Sequence, residues 1–268
     1  VCLGQAWSFN LYHLRPTPHQ SMMSQVTGKK DIAGTCEDWR QKPLWNFLGS
    51  NSYKSGVLEI DARQEESLLG AKACGEAGED YLSDSILWVM RAQNPLGAEG
   101  YLPAVAQDFR PGKVYWDKTC NAQGCGTALR ASLASIYSQF SKNSSRHLLL
   151  IRDFSLKHAF DRQNLIAARE ALREIDKTAE TFYQLAEGRD DTLVLVTGAG
   201  AVDIDFPGEG TEWQNFDLKG AGALPRRGEL SSPVFAQGAR AENFCGMYEE
   251  SQIFERLLSG PKQQGLEL

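Results

Sequence analysis

The stretch from Asp161 to Thr197 constrains the fold more than any other part of the chain. It reads DRQNLIAAREALREIDKTAETFYQLAEGR and then DDTLVLVT. Leu165, Ala168, Leu172, Ile175, Ala179, Phe182 and Ala186 recur at steps of three and four. That spacing predicts one apolar face on a helix of about seven turns. Asp161 is placed to cap its start and Gly188 to end it. Thr192 to Thr197 has no polar alternation through its centre, as expected of a strand buried on both faces. A long one-sided helix feeding such a strand is half of an α/β unit. The carboxyl end of that strand is where α/β proteins usually keep their chemistry. Here it is Gly198-Ala199-Gly200-Ala201, which has no side chain able to do any.

The remaining pattern extends this unit. The segment 1–18 reads as irregular or a short strand, and His19 to Val26 as a short helix. Pro43 begins a helix through Leu48, at a position where its missing N–H costs nothing. Gly56 to Ile60 reads as a strand ending at Asp61, and Tyr81 to Ala92 as a helix carrying Leu82, Ile86, Val89 and Met90. A helix follows from Thr127, then a strand over 147–152 (HLLLIR) ending at Asp153. A short strand over Pro233 to Ala236, a helix over Gln252 to Leu258 and a frayed tail close the chain. This order predicts a three-layer α/β/α sandwich with a mostly parallel central sheet. We read residues 1–268 as a single domain, with 62–126 as an insertion or cap.

Composition narrows the function. The 268 residues are 42% hydrophobic and 23% charged, ordinary for a globular protein. A net charge of −6 argues against a nucleic-acid partner and against an anionic membrane surface. No apolar run reaches the roughly 18 residues of a membrane span. There is no signal peptide pattern, and the chain opens Val1-Cys2-Leu3 with no initiator methionine, as expected of a processed or trimmed product. Its six cysteines fit disulfides in a secreted or periplasmic protein, with the pairing left open by their spacing. No CxxC pair exists, which argues against a zinc finger site. Asn143-Ser144-Ser145 matches the glycosylation sequon.

No dinucleotide fingerprint, Walker A loop or G-x-S-x-G elbow is present. Candidate chemistry rests instead on isolated residues. Asp61 and Asp153 each follow a strand, and His158 lies just beyond the second. Two carboxylates and an imidazole at converging strand ends can hold one metal ion, although turn capping explains Asp153 as well. Asp203 and Asp205 alternate with Val202 and Ile204 and could bind a divalent cation or line a solvated edge strand. Thr17 precedes the first helix, where a hydroxyl can be a nucleophile and backbone N–H groups can hold an anion; helix capping is the simpler role.

Several of these segments together resemble the alkaline phosphatase superfamily, which includes sulfatases and phosphodiesterases. Pro16-Thr17-Pro18-His19 through Val26-Thr27-Gly28-Lys29 is similar to the helix that follows the family's nucleophile. Pro43 to Leu48 with Tyr53-Lys54-Ser55-Gly56-Val57 resembles its helix, glycine turn and strand. Asp153 to Asp161 resembles a metal-binding Asp and His segment. Ile175-Asp176 and Asp191 to Thr197 resemble its most recognisable run. Ser232 to Gly238, Ala241 to Phe244 and Ile253-Phe254 resemble its carboxyl-terminal strand and helix. The resemblance covers about half the chain. It implies the same fold in a truncated form, a hydroxyl nucleophile near Thr17, and metal ligands at Asp153 and His158; a rearranged site would add Asp61, Asp203 or Asp205.

The sequence departs from the family where the chemistry would be. The family's strand ends in Thr, a small residue, then metal-binding Asp and His; here Thr197 runs into Gly198-Ala199-Gly200. The segment before Pro233 is Gly228-Glu229-Leu230-Ser231-Ser232, where a further metal-binding His is usual. The opening strand with its own Asp has no clear counterpart before Gln5. The family's mechanism uses two metal ions, and this chain has only four histidines in all. The resemblance therefore implies a divergent member: a non-catalytic pseudoenzyme acting in binding or assembly outside the cytoplasm. Its expected partner is another protein chain, with no cofactor. The alternative is a hydrolase of phosphate or sulfate esters with a rearranged site and a divalent metal such as zinc.

Overall fold

The computed structural model describes residues 1–122, 124–126, 129–142, 146–200, 203–205, 208–219, 224–226 and 230–259. The sequon Asn143-Ser144-Ser145, the helix start at Thr127, Gly228-Glu229 and the expected tail lie outside the described residues. The chain divides into two compact units. One comprises Val1–Gly34 with Leu156–Leu268, and the other Thr35–Ser155.

The continuous unit is built on a five-stranded sheet, all of it parallel. Its order is Glu99–Tyr101, Val114–Asp117, Ser85–Met90, Lys54–Ile60 and His147–Asp153. Successive side chains of a strand point to opposite faces, and both faces here are apolar. On one face Leu58, Ile86, Trp88 and Met90 pack with Leu133, Ile136 and Phe140 of helix Leu129–Ser141. Trp88 meets Phe109 and Phe140 edge-on, at centroid distances of 5.2 and 5.6 Å. In another layer, Tyr81 of helix Glu76–Leu82 lies edge-on to Trp39 and Trp45. The Trp45 Nε1 donates to the Tyr81 carbonyl at 2.6 Å.

Two expectations change in this unit. Residues 62–126, expected as an insertion or cap, supply three of the five strands. The predicted helix over Tyr81 to Ala92 is in fact the end of a helix and then the strand Ser85–Met90. SILWVM is buried at every position, so its apolar residues fit a two-faced strand as well as a helical stripe. The shortness of the run favours the strand.

A buried ion pair crosses the same sheet. Glu59 and Arg152 are register partners on adjacent strands, and their side chains pair with almost no exposure. Glu59 also accepts from the Leu68 backbone N–H at 2.9 Å and from the Ser67 hydroxyl. Arg152 donates to the Glu66 carbonyl at 3.0 Å and covers the Phe154 ring. Each charge thus has a partner of opposite sign or a hydrogen-bonding group, which is the condition for burying it.

The discontinuous unit holds a four-stranded sheet of order Gly246–Glu249, Cys2–Trp7, Ser231–Gly238 and Leu193–Thr197. Cys2–Trp7 is parallel to Gly246–Glu249 and antiparallel to Ser231–Gly238, which is antiparallel to Leu193–Thr197. The opening strand that the sequence seemed to lack is therefore present, in an interior position. Its alternation was masked by Gly4 and Ala6. Cys2, Ala6, Val234, Ala236, Phe244, Tyr248 and Ile253 form the core on one face. The opposite positions Leu3, Phe235 and Met247 are exposed. Helix Leu165–Ala186, capped by Asn164 rather than Asp161, packs on strands Leu193–Thr197 and Ser231–Gly238. Leu193–Thr197 is an edge strand of its sheet and half-buried throughout, not buried on both faces.

All six cysteines are paired, as Cys2–Cys245, Cys36–Cys74 and Cys120–Cys125. The first joins the two chain segments of the discontinuous unit. The other two lie within the continuous unit.

Candidate functional site at the strand ends of the discontinuous unit

Three strands of this unit run in one direction: Cys2–Trp7, Gly246–Glu249 and Leu193–Thr197. The residues that follow them are Ser8, Glu250 and Gly198. The Glu250 backbone N–H donates to the Trp7 carbonyl at 3.0 Å, which holds the glutamate beside the neighbouring strand end. Helix Pro18–Thr27 supplies the rest of the cluster.

This helix is unusually polar for one so buried. Gln20, Ser21, Ser24, Gln25 and Thr27 are all hidden from solvent. Thr27 satisfies itself by donating to the Met23 carbonyl at 2.7 Å. Ser21 and Gln25 are one helical turn apart and share a face. The Ser21 hydroxyl donates to the Glu250 carboxyl at 3.2 Å. The Gln25 amide donates to the Gly198 carbonyl at 3.0 Å. The second carboxyl oxygen and the Ser8 hydroxyl are buried without a hydrogen-bond partner among the described residues, and the neutral hydroxyl and amide groups nearby favour the ionised form. Burial outweighs them and pushes the Glu250 pKa from 4.5 up to about 7. Helix Pro18–Thr27 thus reaches two of the strand ends, through Ser21 to Glu250 and through Gln25 to Gly198.

The backbone at the end of Leu193–Thr197 is tight at Gly198 and disfavours a side chain at Gly200. A Cβ on Gly198 would lie 3.0 Å from the Ser232 Oγ. Gly200 has φ +99°, a conformation that L side chains rarely adopt.

The residues singled out in the sequence are placed as follows. Thr17 is the N-cap of Pro18–Thr27 and is exposed. Its hydroxyl accepts from the Gln20 N–H at 3.2 Å, and the Gln20 side chain accepts from the Thr17 N–H at 2.9 Å, a complete capping box. Asp61 follows strand Lys54–Ile60 with φ +55°, and its N–H donates to the Met90 carbonyl. Asp153 ends the next strand and accepts from the Ser155 N–H at 2.8 Å and from the Ser155 hydroxyl, so it caps the turn. Ile60 and Asp153 are register partners, which puts Asp61 and Asp153 at neighbouring strand ends of the continuous unit. His158 is buried in helix Ser155–Asp161, within the discontinuous unit. Asp203 and Asp205 stand on a short strand paired with Leu224–Arg226.

Among the described residues, no three His, Cys, Asp or Glu side chains gather in a group that could hold a metal ion. A two-metal centre needs several carboxylates and imidazoles in one place. The donor set at these strand ends does not fit one. Sequence reasoning missed Ser8, Ser21, Gln25 and Glu250, because Ser21 and Glu250 are 229 positions apart and no local pattern links them.

No protein-family profile and no curated protein matches the chain. Solved structures do. Alkaline phosphatase from the Antarctic bacterium TAB5 aligns with a TM-score of 0.71 at 16% identity, over 96% of this chain and 88% of its own. The Thermus thermophilus alkaline phosphatase gives 0.70 at 10% identity, over 96% and 82%. The lipoteichoic acid synthase LtaP from Listeria monocytogenes gives 0.53 at 14% identity, over 94% and 62%. This chain is shorter than the chains it matches. With its parallel α/β core and these structural likenesses, the chain has an alkaline-phosphatase-like fold.

Proposed function

We propose that this protein is a non-catalytic binding or assembly protein on an alkaline-phosphatase-like fold, acting outside the cytoplasm. The observation that carries this reading is the end of strand Leu193–Thr197. Gly198, Ala199 and Gly200 offer no ligand or nucleophile there, and the Gln25 amide is hydrogen-bonded to the Gly198 carbonyl. Metal-assisted hydrolysis needs ordered ligands and a position open to substrate. Glycine and alanine side chains supply no such ligand. Three disulfides support an oxidising compartment. The partner would be a protein chain. Leu3, Phe235 and Met247 on one sheet face, with Leu11, Tyr12 and Leu14 on the loop after the first strand, offer it exposed apolar surface.

The experiment is metal analysis of the purified protein together with phosphomonoester and sulfate-ester assays. The expected result is no stoichiometric metal and no turnover. Stoichiometric zinc with turnover that is lost on chelation would overturn the proposal.

A further inference from the structure

We infer that Glu250, with Ser21 and Gln25, forms a proton-dependent latch that fastens helix Pro18–Thr27 to the strand ends of its unit. This goes beyond the binding role and does not depend on it.

The geometry carries the inference. Glu250 is 1% exposed and directly follows strand Gly246–Glu249. Its backbone is tied to Trp7 and its side chain to Ser21, so it joins two strands to one helix. Gln25, one turn further along the helix, extends the fastening to a third strand end at Gly198. Pro18–Thr27 also packs on helix Gln252–Leu258, which follows Glu250 in the chain.

What faces the carboxyl decides its behaviour. Helix Pro18–Thr27 carries His19 as its only ionisable side chain. The strand before Glu250 carries Glu249, which pairs with Lys30, and Tyr248, on whose ring Arg256 lies at 3.8 Å. Helix Gln252–Leu258 carries Glu255 and Arg256. The groups that act on Glu250 are Ser21, Ser8 and Gln25, all neutral, against a larger effect of burial. A buried carboxylate without a cation is costly, whereas a protonated carboxyl can donate as well as accept. The latch is therefore closed with a proton aboard and strained without one.

The sign follows from linkage. The carboxyl is raised from 4.5 in the unfolded chain to about 7 in the folded one. Folding takes up a proton between these values. Stability from this group is greatest below the unfolded value, falls as pH rises through the window, and levels off above about 7. Within the window the unfolding constant rises by about tenfold per pH unit.

The test compares denaturant unfolding of the wild-type protein and Glu250→Gln from pH 5 to pH 8, with disulfides intact. The ratio of their unfolding constants isolates Glu250 from every other titrating group. The expected ratio moves by at least tenfold across the window and is flat above it. A ratio that stays constant with pH overturns the inference. If Glu250→Gln does not fold, infrared spectroscopy of the wild-type protein at pH 6 decides. A protonated-carboxyl band that titrates near neutrality, and shifts upward in pH in Ser21→Ala, supports the latch. Absence of such a band, or a midpoint that Ser21→Ala leaves unmoved, overturns it.

Discussion

The protein buries two glutamates by opposite means. Glu59, in the continuous unit, sits mid-strand opposite Arg152, with Ser67 and the Leu68 N–H completing its shell. Glu250, in the discontinuous unit, has hydroxyls and an amide around it. The first arrangement answers a charge with a charge. The second suits a group that gives up its charge. The surroundings differ in the same sense. The sheet around Glu59 is parallel and apolar on both faces, so a bare charge there would be strongly disfavoured. The sheet around Glu250 has one buried face and ends in polar groups.

Four substitutions probe this difference, in falling order of effect. Replacing both Cys2 and Cys245 by alanine removes a bridge of sequence separation 243, and should cost about 5 kcal/mol by the loop-closure argument. Denaturant unfolding should show the loss, with fluorescence of the continuous unit's buried tryptophans much less affected. Equal loss of both signals would mean the two units do not unfold separately.

Arg152→Ala should cost about 4 kcal/mol, because it strands the Glu59 charge in the sheet. The double replacement Glu59→Gln with Arg152→Met should recover much of that loss. A double variant as unstable as the single one would show that packing, not charge, is what the pair contributes.

Glu250→Gln has the opposite sign. At pH 8 it should stabilise the protein, by up to about 3 kcal/mol, since the native chain there carries a carboxylate displaced from 4.5 to about 7. At pH 4.5 the two proteins should differ little. Calorimetric melting at both pH values reads this directly. Destabilisation at pH 8 would place Glu250 in the same class as Glu59.

Thr17→Ala is the smallest change. It removes the cap of helix Pro18–Thr27 and should cost about 1 kcal/mol. Thr17→Ser should restore most of it. Any ester hydrolysis by the wild-type protein that Thr17→Ala abolishes would make the residue a nucleophile and not only a cap.

These cases also show what the sequence displays and what it hides. Helix Leu165–Ala186 and strand His147–Asp153 were legible because each carries its own periodicity in one continuous run. Ser85–Met90 was read as helix because a fully buried strand and a helical stripe share an apolar composition over so short a run. Cys2–Trp7 was unclear because Gly4 and Ala6 on its inner side carry little apolar signal. The Glu59–Arg152 pair had a usable sign: one charge of each type inside two otherwise apolar strands, at matching register. Glu250 had none. Its partners are Ser and Gln residues from the other chain segment of its unit, and polar residues in a polar context look solvated. The absence of chemistry at Gly198-Ala199-Gly200 was legible; the polar contacts that helix Pro18–Thr27 makes to the strand ends were not.

The Cys2–Cys245 bridge also sets what proteolysis can do to the molecule. It makes one covalent ring of nearly the whole chain, with the continuous unit carried as a segment of that ring. A single cut anywhere between the two cysteines releases nothing, and the two pieces travel together until reduced. Two cuts, near Gly34 and near Ser155, free the continuous unit with both its own bridges inside it. The other unit then survives as two chains held by a single sulfur–sulfur bond.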